Sequence, residues 1–513
     1  MRRLLIPLLA VAVVMGTGSA AVAGDDRGDR TLRTYARDTW RSIVAMTDPG
    51  TGLVADNIGG DLATGTRSAY TSPTNIGGSM WSAVVARDLG IISRREATAR
   101  IGKTLDTLAG LEHHEPSGMF YNWYDPADAS VVTVWPEDGN TVTPFLSSVD
   151  NGWLAAALMV VKGAVPALRG KADRILREMN FGFYFNPAAT PPIGVRGLIR
   201  GGFWDTQPPG CSVAQDGVWF TCNHYDITVT EPRISLYIGI AQGQIPPTAY
   251  FDTMRTLPEN CDYSWQEMRP AGFTTTHLGR EVYEGSYEYR GIRFVPSWGG
   301  DMFEALMPDL FVPEAQWGPR SWGRNHPATV AGQIEHGMND AGYGYWGFSP
   351  ASRPSGGYQE WGVDAMGMDT NGYPSDVERT SYDAGFAGCP DRPPVSTEPD
   401  YGDGVVTPHA AFLALPYARG PVLDNLARLK ANLDSYGPGG FYDAVAVGSG
   451  TVAKRYLSLD QAMIMGAIGN ELGHSLIKRA FVTPQFERAI RPLLARETFN
   501  IPADQPLPQL GRR

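Results

Sequence analysis

Trp298, Asp301 and Glu304 fall within residues 297–308, with Gly299 and Gly300 between the indole and the acids. That set suits a sugar. An indole covers the apolar face of a pyranose ring, carboxylates hold hydroxyls or move protons, and glycines let a ligand approach the backbone. In the same run Met302, Phe303, Leu306 and Met307 read as the core-facing side of a short helix. Cleaving a glycosidic bond takes two carboxyl groups flanking it, one protonating the leaving oxygen and the other acting as nucleophile or activating water. Glu231 and Asp150 are candidates for that pair. Glu231 stands where an aromatic segment, 225–230, gives way to an apolar helix over 234–240, and Asp150 directly precedes the apolar run 154–161. Both also have structural readings. Glu231 would be stabilised as a first-turn acid by about 0.3–1 kcal/mol from the helix macrodipole, and Asp150 would belong to a capping turn begun by Ser147.

Asp443, after a glycine-rich turn, and Asp460, in a first helical turn, could bind sugar hydroxyls or serve as caps. Asn122, Tyr225, Tyr442 and Gln461 are neighbouring polar candidates for the same binding. Trp123, Trp204, Trp298, Trp346 and Trp361 each lie in a loop beside Gly or Asp, the setting for ring stacking, although large aromatics are mostly buried on average. Glu281, Glu284 and Glu288, interleaved with Tyr283, Tyr287 and Tyr289, read as a solvated acidic face. His113-His114-Glu115 lacks the spacing of a zinc protease helix, and there is no Gly-x-Ser-x-Gly elbow, phosphate loop or dinucleotide fingerprint. The expectation is an enzyme without a metal or other cofactor.

Helices must position these groups. Leu32, Tyr35, Ala36, Ile43 and Val44 form a helical stripe, and Ser93 with Glu96 makes a capping box ahead of Ala97, Ile101, Leu105 and Leu108. Ser72-Pro73, Thr407-Pro408 and Thr483-Pro484 each put an N-cap residue before a proline at the first helical position, and Ser458 with Gln461 repeats the capping box. Strand alternation is scarce. Between the helices lie stretches rich in Gly, Pro, Trp, Tyr and Asp, at 113–146, 186–226, 257–300, 343–405 and 436–456. Loops that long in a compact domain are usually functional. The pattern predicts one mostly helical domain over 24–513 whose loops gather on one face, with a short C-terminal tail; by composition 371–403 would pass for a linker.

Hydrophobic residues at 43% and charged residues at 19% of 513 give ample core material, and a net charge of -11 disfavours nucleic acid or an anionic membrane as partner. A neutral polysaccharide or oligosaccharide fits that charge. Arg2-Arg3, the apolar run 4–15 and Ala21-Val22-Ala23 read as a secretory signal peptide over 1–23, so the expected product is secreted, starts near Gly24 and has no stable membrane insertion after cleavage. Export places Cys211, Cys222, Cys261 and Cys389 where disulfides form. Cys211 and Cys222, close together in one loop, are predicted to pair.

Several motifs also carry a resemblance. Residues 297–308, Thr71-Ser72-Pro73-Thr74-Asn75-Ile76-Gly77, Gly118-Met119-Phe120-Tyr121-Asn122-Trp123-Tyr124, Val406-Thr407-Pro408-His409-Ala410-Ala411, Tyr436-Gly437-Pro438-Gly439-Gly440-Phe441-Tyr442-Asp443 and Tyr456-Leu457-Ser458-Leu459-Asp460-Gln461 occur in family order along most of the chain. The set resembles the glucoamylase-like bacterial proteins that include the endo-β-1,2-glucanases of glycoside hydrolase family 144 and the transglycosylating region of cyclic β-1,2-glucan synthases. The resemblance implies an all-α fold, an (α/α)6 toroid, and hydrolysis of a β-glucan. The family-like motifs on both sides of 371–403 need one common core, which makes that segment a rim loop. The resemblance also implies that Glu231 matches the catalytic glutamate opening the corresponding helix, which outweighs the structural reading that the residues alone would favour and makes Glu231 and Asp150 the leading catalytic pair. Asp150 stands where those glucanases carry Glu, and residues 144–147 lack their upstream acids.

Overall fold

The computed structural model describes residues 18–191, 194–258, 261, 266, 268–368, 389 and 401–507. Helices α1 (Gly18–Met46), α2 (Pro73–Asp88), α3 (Arg94–Leu108), α4 (Ser148–Ala164), α5 (Arg169–Glu178), α6 (Arg233–Ala241) and α7 (Ala249–Asp252) occupy the first half. The second half holds α8 (Met302–Leu306), α9 (Glu314–Trp317), α10 (Trp322–Glu335), α11 (Pro408–Leu413), α12 (Leu415–Asn432), α13 (Ser458–Leu472), α14 (Leu476–Phe481) and α15 (Pro484–Arg496). The punctuation works as its chemistry predicts. Ser72, Ser93 and Thr483 each accept the backbone N–H three residues on, and Pro73, Pro408 and Pro484 stand at the first helical position, where a missing N–H costs nothing. Two positions differ: Thr407 stands at the N-cap of α11 but its hydroxyl donates to the Gly347 carbonyl and makes no capping bond, and at α13 Leu457 is the capping residue while the Ser458 hydroxyl is buried without a partner.

Packing joins the helices into a cycle. Among the described residues α2 touches α4, α4 touches α6, α8 touches α11, α11 touches α13, and α13 returns to α2. Arg233 of α6 closes the remaining gap through the carbonyls of Glu304 and Ala305 in α8. The inner helices approach closely because small residues line their contacts. A Cβ on Gly152 of α4 would stand 1.9 Å from the Ser235 hydroxyl of α6, so that hydroxyl would have to leave its place between the helices. Outside this cycle α1 packs on α13, α3 on α2, α5 on α4, α15 on α6, α10 on α8 and α12 on α11. Helix α4, apolar on nearly every side, is buried from Asn151 to Val161, as expected of a helix with neighbours all round.

The all-α expectation needs correction, because strands fill the loops. Phe145–Ser147, Gly202–Trp204, Val218–Thr221 and Ser212–Gln215 form an antiparallel sheet, and Ala271–His277, Arg280–Tyr289 and Ile292–Phe294 form another. Most strands span only two to five residues, too few for alternation to register in the sequence. In the acidic run on Arg280–Tyr289, Glu281 and Glu288 are exposed as expected of a solvated face, and Glu284 is not. Glu284 and Arg255 are both 0% exposed; the Arg255 Nε lies 3.3 Å from Glu284, its Nη2 pairs with Glu497, and His277 Nε2 lies 3.1 Å from Glu284. Disulfides join Cys211 to Cys222 and Cys261 to Cys389. No single described helix is long and apolar enough to cross a membrane. The apolar run 4–15, and nearly all of the rim loop 371–403, lie outside the described residues.

Candidate active site

A cavity of about 530 Å3 opens at the N-terminal ends of α6 and α8, lined by Tyr225, Asp226, Glu231, Trp298, Asp301, Glu304, Glu360 and Trp361 among others. Glu231 sits in the turn leading into α6. Burial, and next the charge of Glu304, push its carboxyl up to about 8, so it holds its proton at neutral pH. Glu304 is buried and also raised, chiefly by burial; its Oε1 accepts from the Thr230 hydroxyl at 3.3 Å and its Oε2 from the Gly299 N–H at 3.1 Å. Asp301 caps α8, accepting the Glu304 N–H at 2.8 Å, and is raised well above the usual carboxylate range by burial and by Glu304. Asp301 is therefore both the cap of α8 and part of the cavity lining. Asp226 and Glu360 are each pushed up to about 7, mainly by burial.

Gly300 makes this geometry possible. Its φ is +67°, and a Cβ there would lie 2.0 Å from the Val363 carbonyl, so only glycine lets the segment carrying Trp298 lie against the one carrying Trp361. The Val363 N–H and the Gln333 amide both donate to the Gly300 carbonyl.

A second acidic group stands nearby. His409, Asp443 and Asp460 are buried with their ligating atoms within 4.8 Å of one another, a spacing that would suit a cation or a shared proton. Burial holds His409 down at about 4, hence neutral, and burial followed by the charge of Asp443 raises Asp460 well above its ordinary value. Asp443 accepts the Ser352 N–H at 2.6 Å through one oxygen, while the other is buried without a partner. The charges of Asp460, Asp443, Glu360 and Asp56 all bear on the Tyr358 hydroxyl, although that residue is 57% exposed. His409, Asp443 and Asp460 are themselves buried and are not among the residues lining the 530 Å3 cavity.

Asp150 is not among the residues lining the 530 Å3 cavity. It lies in the first turn of α4, its N–H given to the Ser147 hydroxyl at 3.1 Å and its Oδ1 accepting from Thr74 at 2.6 Å. Helices α4 and α6 touch where Ser235 donates to the Ser148 carbonyl at 2.7 Å, so Asp150 and Glu231 rise from the same end of adjacent helices. The other candidates have protein partners. Trp204 packs on Phe145 with ring centres 4.7 Å apart, and Trp123 sits edge-on to Tyr70 and Trp135. Asn122 exchanges backbone bonds with Phe145, leaving its side-chain oxygen buried and unpaired. Tyr442 packs against Tyr456, Gln461 donates to the Phe441 carbonyl and accepts from Ser42, and Trp346 is core. Sequence reasoning did not single out Asp226, Glu360, Asp56 or His409 as site residues. Asp226 and Glu360 each adjoin an aromatic already singled out, Tyr225 and Trp361, and that pairing was the available signal. Cys222 also lines the cavity, so the Cys211–Cys222 bridge braces its wall.

Residues 269–483 match a family described as "Putative glucoamylase", and residues 34–183 match one described as a protein of unknown function. The chain is 24% identical over 356 residues to the cyclic beta-(1,2)-glucan synthase NdvB of Rhizobium meliloti (strain 1021), an alignment covering 67% of this chain and 10% of that protein. It thus spans about a tenth of that relative's length. An endo-beta-1,2-glucanase from Chitinophaga pinensis, solved with sophorotriose and glucose, superposes with a TM-score of 0.62 at 15% identity, covering 91% of this chain and 98% of that one. An endo-beta-1,2-glucanase mutant from Talaromyces funiculosus, solved with beta-1,2-glucan, gives 0.61 at 11% identity, covering 97% and 95%. The resemblance seen in the motifs is borne out by these matches, and the fold is shared with both solved structures.

Proposed function

We propose that this chain is a secreted glycoside hydrolase that cleaves a β-glucan, with β-1,2-glucan or its oligosaccharides as substrate and an (α/α)6 toroid as scaffold. One observation carries the reading: Glu231 lies in a cavity lined by Trp298 and Trp361, with its carboxyl held at about 8. A group that keeps its proton at neutral pH, beside rings able to stack on a sugar, is fitted to protonate a glycosidic oxygen. The cycle of helices supports the toroid, the glucanases sharing the fold support the substrate class, and the two disulfides suit an exported protein.

In this reading Glu231 gives its proton to the leaving oxygen while Asp150, at the head of the adjacent helix, activates the attacking water. The shorter Asp leaves room for that water, which favours inversion. Asp443 offers a second reading of the base, because it combines a buried unpaired oxygen with a place beside His409 and Asp460. Reducing-end release from a polysaccharide panel tests the proposal. Activity on β-1,2-glucan should fall by about a thousandfold or more in Glu231→Gln with binding retained. Whichever of Asp150→Asn and Asp443→Asn is the more damaged identifies the base. Turnover confined to another glycan would move the substrate, binding without turnover would make the chain a glycan-binding protein, and full activity of Glu231→Gln would remove the proton donor.

A further inference from the structure

Arg233 opens α6 two residues after Glu231 and is only 3% exposed. Its guanidinium is fully used. Nε and Nη2 donate to the two oxygens of Glu314 at 2.7 and 2.9 Å; Nη1 donates to the carbonyls of Thr230 at 2.8 Å and Glu304 at 2.7 Å, and Nη2 also to Ala305 at 2.8 Å. The Trp322 ring lies 4.5 Å away. Glu314 completes its own set with the Tyr237 hydroxyl at 2.9 Å and His326 Nε2 at 3.1 Å. Burial alone would raise Glu314, yet the charge and hydrogen bonds of Arg233, with those of His326, bring it to about 2.

Two of the three carbonyls gripped by Arg233 belong to Glu304 and to the residue preceding Glu231. The planar fork therefore fixes how near the two carboxyls stand, a task that the single ammonium of lysine cannot reproduce. We propose that Arg233, held in turn by Glu314, is a positioning residue that sets the spacing of Glu231 and Glu304 and so keeps Glu231 in its proton-donating form. The inference rests on reading Glu231 as the proton donor. Two effects of Arg233 oppose each other. Its positive charge by itself favours ionised Glu231, whereas the close approach of Glu304 that it enforces, in a tight pocket, favours the protonated form. The other titratable groups lining the same cavity are Asp301 at the head of α8, His224 in the strand His224–Tyr225, Asp226 just after it, and Glu360 beside Trp361.

Arg233→Lys keeps the charge and loses the fork, so it separates these effects. The alkaline limb of kcat/KM should fall from near 8 by about one pH unit, with kcat reduced about 10- to 100-fold and KM changed less than about threefold. Glu314→Gln, which keeps the side-chain shape and one acceptor oxygen, should move the limb the same way by less. An unmoved limb in Arg233→Lys overturns the proposal. So does an equal shift in Glu497→Gln, which loosens a different buried arginine, Arg255, and should lower Tm alone. Carbon-13 NMR titration of glutamate side chains, with the Glu231 signal assigned by Glu231→Gln, reads the same ionisation without turnover. A fully active Glu231→Gln removes the proton-donor reading, while an inactive Glu231→Gln with an unmoved titration in Arg233→Lys removes only the positioning role.

Discussion

Glu231 carries its proton across a pH range in which an ordinary glutamate would lose it, and this has a cost for the fold. Its ordinary value is 4.5 and its value here is about 8, so between those limits the folded chain binds a proton that the unfolded chain releases. By linkage, the stability contributed by the protonated form is fully present below about 4.5 and declines as pH rises towards 8. Glu231→Gln, which has no proton to lose, should therefore be more stable than the parent at pH 8, by on the order of 2 kcal/mol, with the gain vanishing at pH 4. Urea denaturation at the two pH values checks this; equal gains at both would mean that the carboxyl is not held protonated. The parent's kcat/KM should fall as pH rises through about 8, as the donor is titrated.

At the scale of elements, the chain pins its loops with buried charge. Arg255 lies between Glu284 of a hairpin strand and Glu497 just beyond α15, all three fully buried. Glu497→Ala leaves Arg255 paired with Glu284 but takes away the acceptor of its buried Nη2, so it should cost about 1–3 kcal/mol in chemical denaturation, more than loss of the exposed pair Arg491–Glu487. The sequence disguised this network: Glu284 in a run of alternating Glu and Tyr looks like a solvated strand face until its partners, distant in the chain, are known. Helix starts were legible because a Ser or Thr cap followed by Pro acts over four residues. Ser458 shows the limit of that rule, since the strand entering α13 sets the chain direction and leaves the hydroxyl unused. In the site, Trp298, Asp301 and Glu304 were readable as one local group, whereas the approach of Glu231, Glu360 and Asp226 to them depends on helices far apart in sequence.

At the scale of the whole molecule, two disulfides close loops of very different size. Cys211 and Cys222 are separated by 11 positions, Cys261 and Cys389 by 128. In the chain-entropy model these closures restrain the unfolded chain by roughly 3 and 5 kcal/mol respectively. Paired Cys→Ser replacement at 261 and 389 should therefore lower the stability measured in guanidinium more than replacement at 211 and 222. The shorter bridge, whose Cys222 borders the cavity, should instead affect KM more than Tm. Equal effects on both quantities would show that the short bridge has no special bearing on the cavity wall.

The cavity's acids also make it a proton reservoir. Glu231, Asp226 and Glu360 titrate between about 7 and 8, so near neutrality each is partly occupied, and a sugar that displaces water from around them must raise their affinity for protons. Ligand binding should then draw protons from the buffer. Isothermal calorimetry at pH 7.5 in buffers of differing ionisation heat would count them as the slope of observed enthalpy against that heat. A zero slope would mean that the sugar leaves these carboxyls in contact with water, and the chain would take its substrate without sealing the site.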